Sequence, residues 1–201
     1  MLLNPSENKS HNRRMATLIL SSVNRADRMI QDLLDTSLIR AGKELPLELT
    51  ECDLRAIAKA TLKDLDSLYG KRFVLKAEQP VVGNWSADGL RRVIENLAIN
   101  AIKYGGPDKP VTVMISETRK SARLKVHNYG NPLSPEERSR LFTPFQRSRN
   151  AQKSGKQGWG IGLTLVRGVV ETLRGTLSVE SSPKEGTTFT IVLPKSSSSV
   201  L

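Results

Sequence analysis

The chain has 201 residues, and Lys plus Arg exceed Asp plus Glu by 31 to 20, which gives a formal net charge of +11 at pH 7. This length fits one domain with an appendage, and the charge favours an anionic partner such as a nucleotide, a nucleic acid or a membrane surface. Aromatic residues make up only 4%, which argues against single-strand binding by stacking, and the single Cys52 excludes a disulfide framework.

The chain contains no apolar run of membrane-spanning length and no signal-peptide pattern. We therefore expect a soluble, cytoplasmic chain, and whether Met1 is a natural start stays open.

A long helix is predicted from about residue 9 to 41, ending at Gly42. Its apolar residues recur in alternating steps of four and three, as in a bundle or coiled coil: Ala16, Ile19, Val23, Ala26, Ile30, Leu33 and Ser37. One helix cannot bury such a face, so the pattern predicts a partner helix or a second copy. His11, near its start, lacks a neighbouring carboxylate and is interpreted as solvated.

Strands and helices are predicted next. Leu45–Leu49 alternates and predicts a short strand. Asp53 is expected to cap a helix that ends at Gly70. Strands are predicted over residues 73–77 and 81–85.

A second amphipathic helix follows Ser86, and one of its faces is polar. Asn96, Asn100 and Lys103 recur at helical spacing and share that face. The face is either solvated, which the helix alone favours, or holds a hydrated metal ion and a phosphate chain, because amide oxygens suit hard cations and ammonium groups suit phosphate.

In the last part of the chain the sequence predicts a hairpin, a short capped helix, a glycine-rich helix start and two final strands. The strands are expected over residues 111–118, 122–126, 175–181 and 187–193, and Ser134 begins a capping box. The basic segment 146–157 is either a surface loop or a mobile cover over an anionic ligand. The element order predicts an α/β (α+β) fold: a two-layer sandwich, with a mixed sheet and helices on one face, preceded by one bundle helix.

Five stretches, in order, resemble the motifs of sensor histidine kinases. They are the N-box at 96–104, the first glycine box at 126–133, the F-box at 141–145, the second glycine box at 158–163 and Gly186-Thr187-Thr188-Phe189. Residues 28–35 are similar to the second helix of that family's dimerisation bundle. The resemblance implies three parts: a partial dimerisation helix (1–43), a catalytic ATP-binding domain (44–195) and a flexible tail (196–201).

The resemblance implies a site for ATP and Mg²⁺. Asn100 would be the main Mg²⁺ ligand, with Asn96 beside it, and Lys103 would pair with phosphate oxygens. The remaining residues that it implies around the nucleotide are Tyr104, Asn128, Gly130, Pro132, Phe145, Gly158, Gly160, Ile161, Gly162, Leu163 and Thr187.

Two residues depart from the usual motif. Asn128 stands where the family usually has an aspartate that accepts the adenine amino proton, which replaces a charge-assisted hydrogen bond by a weaker neutral one. Pro132 replaces a glycine and stiffens the turn. This Asn-x-Gly-x-Pro form resembles that of phytochrome-like kinases, so we expect ATP binding, with reduced affinity.

No histidine of this chain matches the family's phosphoacceptor motif, because neither His11 nor His127 precedes an acidic residue. The chain is therefore expected to act as the kinase catalytic portion of a two-component sensor, to donate the γ-phosphoryl group to a histidine elsewhere, and not to phosphorylate itself. The implied partners are a histidine-bearing bundle helix or full-length kinase, a response regulator and a second copy through the long helix. A membrane would be reached only through segments upstream.

Three alternatives remain open. The first is a nucleotide-gated interaction module that is catalytically incomplete. The second is another ATPase of the wider superfamily, such as a chaperone or gyrase, which the bundle-like helix and F-box argue against. The third is nucleic-acid binding, which we do not expect because the basic residues follow the long helix and the segment 146–157.

Overall fold

A computed structural model describes residues 29–143 and 160–196, together with Met15, Ile19, Val23 and Asp27. The first helix, α1, is continuous over residues 29–40, and the four isolated residues are helical as well. It ends as predicted at Gly42, whose φ is +69°. Gly42 N–H donates to the Ile39 carbonyl and Lys43 N–H to the Leu38 carbonyl, the two bonds of a Schellman ending.

The main sheet has five strands in the order β2–β4–β5–β7–β6. It is mixed, because β2 runs parallel to β4 and the other neighbours are antiparallel. The predicted hairpin is confirmed by the pairing of Glu117 with Ala122. The strands are β2 (Phe73–Lys76), β4 (Val111–Glu117), β5 (Ser121–Asn128), β6 (Thr176–Ser182) and β7 (Gly186–Pro194).

A separate two-stranded sheet pairs β1 (Thr50–Asp53) with β3 (Val82–Trp85) in antiparallel register. The strand predicted over residues 45–49 is wrong, since this segment has no regular structure and the strand begins at Thr50. The alternation there arises because Leu45 is buried and Leu47 packs on the core, with Leu45 N–H bonded to Thr172 Oγ1 at 3.3 Å. A loop that anchors two leucines on the core has the same apolar pattern as a strand.

The larger helices cover one face of the main sheet, as the sequence predicts. They are α2 (Leu54–Tyr69), α3 (Ala87–Tyr104) and α5 (Gly162–Thr172), and the short α4 (Pro135–Arg140) lies between the last two in sequence. In β5 the side chains of Leu124 and Val126 are buried, whereas Arg123 on the other face is exposed. Period-two burial of this kind is expected of a sheet covered on one face only. No helix in the described part of the chain is long and apolar enough to cross a membrane.

Candidate nucleotide site

The N-terminus of α5 differs from those of the three helices before it. Asp53 caps α2, Ser86 caps α3 and Ser134 caps α4, each through a side-chain oxygen that accepts a backbone N–H. At α5 the cap position is Ile161, and its side chain makes no such bond. The first N–H groups of a helix have no partner within the helix, and together with the helix dipole they favour an anion. Among the helix starts that the structure describes, α5 alone therefore lacks a side-chain cap, and Gly160 with φ +72° stands next to it.

The first residue of α5 lies directly against the polar face of α3. A Cβ added at Gly162 would come 2.4 Å from Asn96 Oδ1, so a side chain at this position would displace the Asn96 carboxamide from its place beside α5. The Asn96 amide donates to the Arg92 carbonyl at 2.9 Å, which turns Oδ1 towards α5. The structure therefore brings together residues that are 66 positions apart in sequence and that the resemblance assigns to one phosphate site.

The other end of α3 meets the loop after β5. Gly105 pairs with Gly130 as an isolated antiparallel bridge, and Gly106 N–H donates to the Tyr129 carbonyl at 2.5 Å. A Cβ at Gly130 would lie 2.2 Å from the Tyr104 carbonyl oxygen. Because that oxygen belongs to the backbone, it cannot move aside cheaply, and Gly130 is required for this contact.

Asn128 and Thr187 face each other on neighbouring strands, at the end of the sheet where α3 and the loop after β5 meet. They are paired in the register of β5 and β7, and both are buried, with 5% and 6% of their surfaces exposed. Thr187 Oγ1 lies 2.7 Å from Ser181 Oγ, and Ser181 Oγ also accepts from the Leu133 N–H at 2.9 Å. These polar groups line the base of the loop that carries Gly130.

His127 points to the opposite side of the sheet from Asn128. Its Nδ1 lies 2.9 Å from Thr188 Oγ1, and its ring meets Tyr129 edge to face with centroids 4.7 Å apart. Partial burial lowers the pKa of His127 below its usual value, although Glu185 acts in the opposite direction. This histidine is therefore neutral at pH 7 and is held by the sheet.

Arg92 precedes Asn96 by one helical turn and joins α3 to α1. Its Nη2 donates to Asp32 Oδ1 at 2.8 Å and lies 2.6 Å from Asp35 Oδ2, the latter as an ion pair outside hydrogen-bond geometry. Gln31 donates to Asp35 Oδ1 at 3.1 Å. Burial disfavours the charge of Arg92, but the hydrogen bond to Asp32 and the negative charges of Asp32 and Asp35 outweigh it and raise the pKa of Arg92.

The other predicted site residues lie as follows. Asn100 and Lys103 continue the polar face of α3 beyond Asn96, half-buried. Ile161 is buried, and Leu163 packs on the core. Tyr104 is 43% exposed, and Pro132 is exposed. Phe145, Gly158 and the basic segment 146–157 lie outside the described residues.

Two contributors were missed by reading the sequence. Gly186 has φ +73°, and a Cβ there would lie 2.4 Å from the Asn128 carbonyl oxygen. Ser181 supplies the hydroxyl that contacts Thr187. The glycine of the Gly-Thr-x-Phe stretch was a usable signal for the first, whereas nothing in the sequence around Ser181 distinguishes it from other strand serines.

Comparison with known proteins assigns the chain to a family. The model for "Histidine kinase-, DNA gyrase B-, and HSP90-like ATPase" matches residues 86–197, more than half of the chain. The chain belongs to this ATPase family, and membership implies ATP binding. The matched region begins at the cap of α3 and includes both glycine loops and the last two strands.

The resemblance to sensor histidine kinases is confirmed. Sensor histidine kinase YcbM of Bacillus subtilis (strain 168) is 27% identical over 187 residues, which cover 90% of this chain and 60% of that protein. Sensor-like histidine kinase SenX3 of Mycobacterium tuberculosis (strain ATCC 25618 / H37Rv) is 29% identical over 200 residues, or 96% of this chain and 48% of that protein. The chain thus spans about half the length of these relatives.

Solved structures confirm the fold. The mycobacterial sensor histidine kinase MprB aligns with a TM-score of 0.64 at 26% identity, covering 73% of this chain and 97% of that one. The Acinetobacter baumannii histidine kinase AdeS aligns over 97% of this chain and 87% of that one, with a TM-score of 0.67 at 22% identity. The second alignment shows the fold alone, and it extends over nearly the whole chain.

Proposed function

We propose that this chain binds Mg·ATP at the junction of α3 and α5 and forms the catalytic ATP-binding portion of a sensor histidine kinase. The observation that carries the proposal is the close approach of Asn96 to Gly162. Gly162 is the first residue of α5, and among the described helix starts, those of α2 to α5, only that of α5 lacks a side-chain cap. That junction offers amide oxygens on one side and unsatisfied N–H groups on the other. A metal–phosphate group needs both kinds of partner.

The phosphate chain is placed along the polar face of α3 and the start of α5. Asn100 is the proposed Mg²⁺ ligand with Asn96 beside it, and Lys103 is the proposed phosphate contact. Gly160 and Gly162 let the backbone come close to phosphate oxygens, because a side chain at either position would occupy that space or strain the turn. Gly158 and Phe145 complete this end of the site in the proposal.

The adenine is placed at the other end, over the loop that carries Gly130. Asn128 accepts the adenine amino proton through its side-chain oxygen, and Thr187 stands opposite it. Tyr104, Ile161 and Leu163 form the apolar wall, and Pro132 fixes the exit of the loop. A neutral acceptor at Asn128 makes the hydrogen bond roughly half as strong as a carboxylate would.

The proposed reaction is transfer of the γ-phosphoryl group to a histidine that this chain does not contain. The P–O bond to the β-phosphate breaks, a P–N bond to the imidazole forms and ADP leaves. This chain's residues hold the metal and neutralise the phosphate charge, which is the main task of a protein in phosphoryl transfer. His127 does not fit the acceptor's role, since Asn128 follows it and it lies on the far side of the sheet.

The proposal divides the chain at residue 43 into a partial dimerisation helix and a catalytic domain that extends to residue 195, with a flexible tail over 196–201. Its partners are a histidine-bearing bundle helix, a response regulator and a second copy along α1. The exposed apolar residues Ile30, Leu33 and Leu34 support contact with such helices. We place the domain in the cytoplasm, either free or as the inner part of a membrane-anchored sensor.

Two measurements test the proposal. Isothermal titration with Mg·AMPPNP should give saturable heat at one site per chain, and no heat at any concentration would refute nucleotide binding. Incubation with γ-labelled ATP should leave the chain unlabelled, while a separately supplied bundle helix with an acceptor histidine becomes labelled. Acid-labile label on this chain itself would contradict the proposed division of labour.

A second function is supported by the absence of an acceptor motif from the sequence. The domain would then act as a nucleotide-gated interaction module, in which ATP changes partner binding through α1 and no transfer occurs. The two functions differ in one result. A module binds its partner only with Mg·AMPPNP present and labels no added acceptor helix, whereas a kinase labels it.

A further inference from the structure

Arg72 connects three parts of the chain that no sequence motif links. It lies between the end of α2 and the start of β2, and it is half-buried. Its Nη2 donates to the Gly106 carbonyl at 2.7 Å and to the Lys109 carbonyl at 3.1 Å. Its own carbonyl accepts the Val111 N–H at 2.9 Å. One arginine therefore holds both ends of the turn that joins α3 to β4.

That turn is the support of the Gly130 loop. Gly106 bonds the Tyr129 carbonyl through its N–H, and Gly105 is bridged to Gly130. Gly106 thus accepts a hydrogen bond from Arg72 through its carbonyl and donates one to the Tyr129 carbonyl through its N–H. The hydrogen bonds from Arg72 that fix the turn therefore also fix the Gly130 loop, which is proposed to bind the adenine. That loop is two contacts away from the guanidinium group.

We propose that Arg72 is a positioning residue for the base end of the nucleotide. The inference rests on the proposed function and adds to it a residue outside the matched motifs. Arg72 does not touch the ligand in this account. It keeps the turn over residues 105–110, and through it the Gly130 loop, in the arrangement that accepts a purine.

The effect on affinity follows from the fraction of molecules in which the loop is ordered. The apparent dissociation constant equals the intrinsic one divided by the population of the competent state. If loss of the two bonds reduces that population to about one tenth, affinity for the nucleotide falls roughly tenfold. The phosphate end rests on α3 and α5, to which Arg72 donates no hydrogen bond, so the loss should be specific to ligands that carry a base.

The decisive variant is Arg72→Gln, which keeps the backbone carbonyl and hence the bond to Val111. Mg·AMPPNP and Mg·tripolyphosphate are titrated into the full chain and the variant. We expect roughly tenfold weaker AMPPNP binding and unchanged tripolyphosphate binding. Amide exchange should accelerate at residues 104–110 and 128–133, with no change at residues 29–40. Equal weakening of both ligands, or global acceleration of exchange, would overturn a positioning role in favour of general destabilisation.

Two further variants complete the test. Arg72→Lys retains an ammonium with enough donors for both carbonyls and should recover most of the affinity. Arg123→Gln removes the same charge from an exposed position on β5 and should leave binding unchanged. An equal loss in Arg123→Gln would assign the effect to charge alone, and failure of the lysine variant to recover would show that donation to these two carbonyls does not restore the loop; either result would overturn the proposal. If the unaltered chain binds no nucleotide, both this role and the proposed function fall, whereas normal binding by Arg72→Gln removes only the role of Arg72.

Discussion

Two of the helices that α3 meets, α1 and α5, form junctions of opposite kinds with it. At the junction with α1, Arg92 forms ion pairs with Asp32 and Asp35, so its charge is balanced within the chain. At the junction with α5, one turn further on, Asn96 faces Gly162 and a helix start without a side-chain cap. The first junction pairs its charges within the chain, while the second is the one proposed to offer donors and acceptors to a ligand.

The difference shows how to separate structure from function on a single helix. Arg92 and Asn96 lie on one line of α3, and by sequence both belong to its polar face. What distinguishes them is whether the facing element supplies complementary groups. Replacing a whole buried ion pair by apolar residues often costs little stability, whereas removing one partner alone is strongly destabilising because it leaves an unpaired buried charge. Changes beside an uncapped helix terminus, in contrast, should alter ligand affinity more than the stability of the fold.

The largest expected effect is at the closed junction. Arg92→Met should lower the free energy of unfolding by about 3–5 kcal/mol, because the carboxylate of Asp35, only 3% exposed, loses its cationic partner. Urea unfolding followed by the fluorescence of buried Trp85 measures this loss. The additional changes Asp32→Asn and Asp35→Asn should restore most of it, and no recovery would mean that packing, not charge, holds α1.

At the open junction the effect should move from stability to binding. Asn100→Ala should weaken Mg·AMPPNP binding on the order of 100-fold, as expected when a bond to a charged group is lost. Its stability should stay within about 0.5 kcal/mol of the unaltered chain, because alanine favours the helix. Titration calorimetry and urea unfolding give the two numbers. A variant that loses stability but keeps its affinity would reverse the assignment of this face.

Two glycines on α5 sharpen the contrast with one substitution each. Gly162→Ala should displace the Asn96 carboxamide and weaken nucleotide binding about tenfold, which equals about 1.4 kcal/mol. Gly168→Ala is the matched control, since its Cβ would lie 2.4 Å from Ile39 Cδ1 of α1. The control should alter thermal stability and leave affinity unchanged. If both variants lose affinity alike, the loss comes from disturbing α5 as a whole and not from the contact with Asn96.

The smallest effect is expected for Arg91, the neighbour of Arg92. Its side chain is 48% exposed and pairs with Asp88 and Glu95 on the same helix. The hydrogen bond to Asp88 raises its pKa despite partial burial, yet exposed pairs of this kind are worth little. Arg91→Gln should change the free energy of unfolding by less than about 0.5 kcal/mol. A loss comparable to that of Arg92→Met would show that the loss of stability depends on removing a positive charge and not on how deeply that charge is buried.

Local signals predicted most of the fold. Asp53, Ser86 and Ser134 cap the helices as expected because a cap is a bond between residues two or three positions apart. The loop at 45–49 was misread because Leu45 is buried against α5, where its N–H bonds to a residue 127 positions away. The polar face of α3 was visible in the sequence, yet only the resemblance, and then the contact with Gly162, separated Asn96 from Arg92. The role of Arg72 could not be predicted from the sequence, since its partners are backbone carbonyls, which every residue has.

The central claim is that the junction of α3 and α5 is the nucleotide site. Backbone amide chemical shifts of the isotope-labelled chain, recorded during titration with Mg·AMPPNP, test it most directly. The account predicts the largest shifts at Gly160, Ile161, Gly162 and Asn100, smaller ones at Gly130, and none at residues 29–35 around the Arg92 ion pairs. Shifts concentrated at the α1 junction or on the exposed face of β5, with none at Gly160–Gly162, would contradict it.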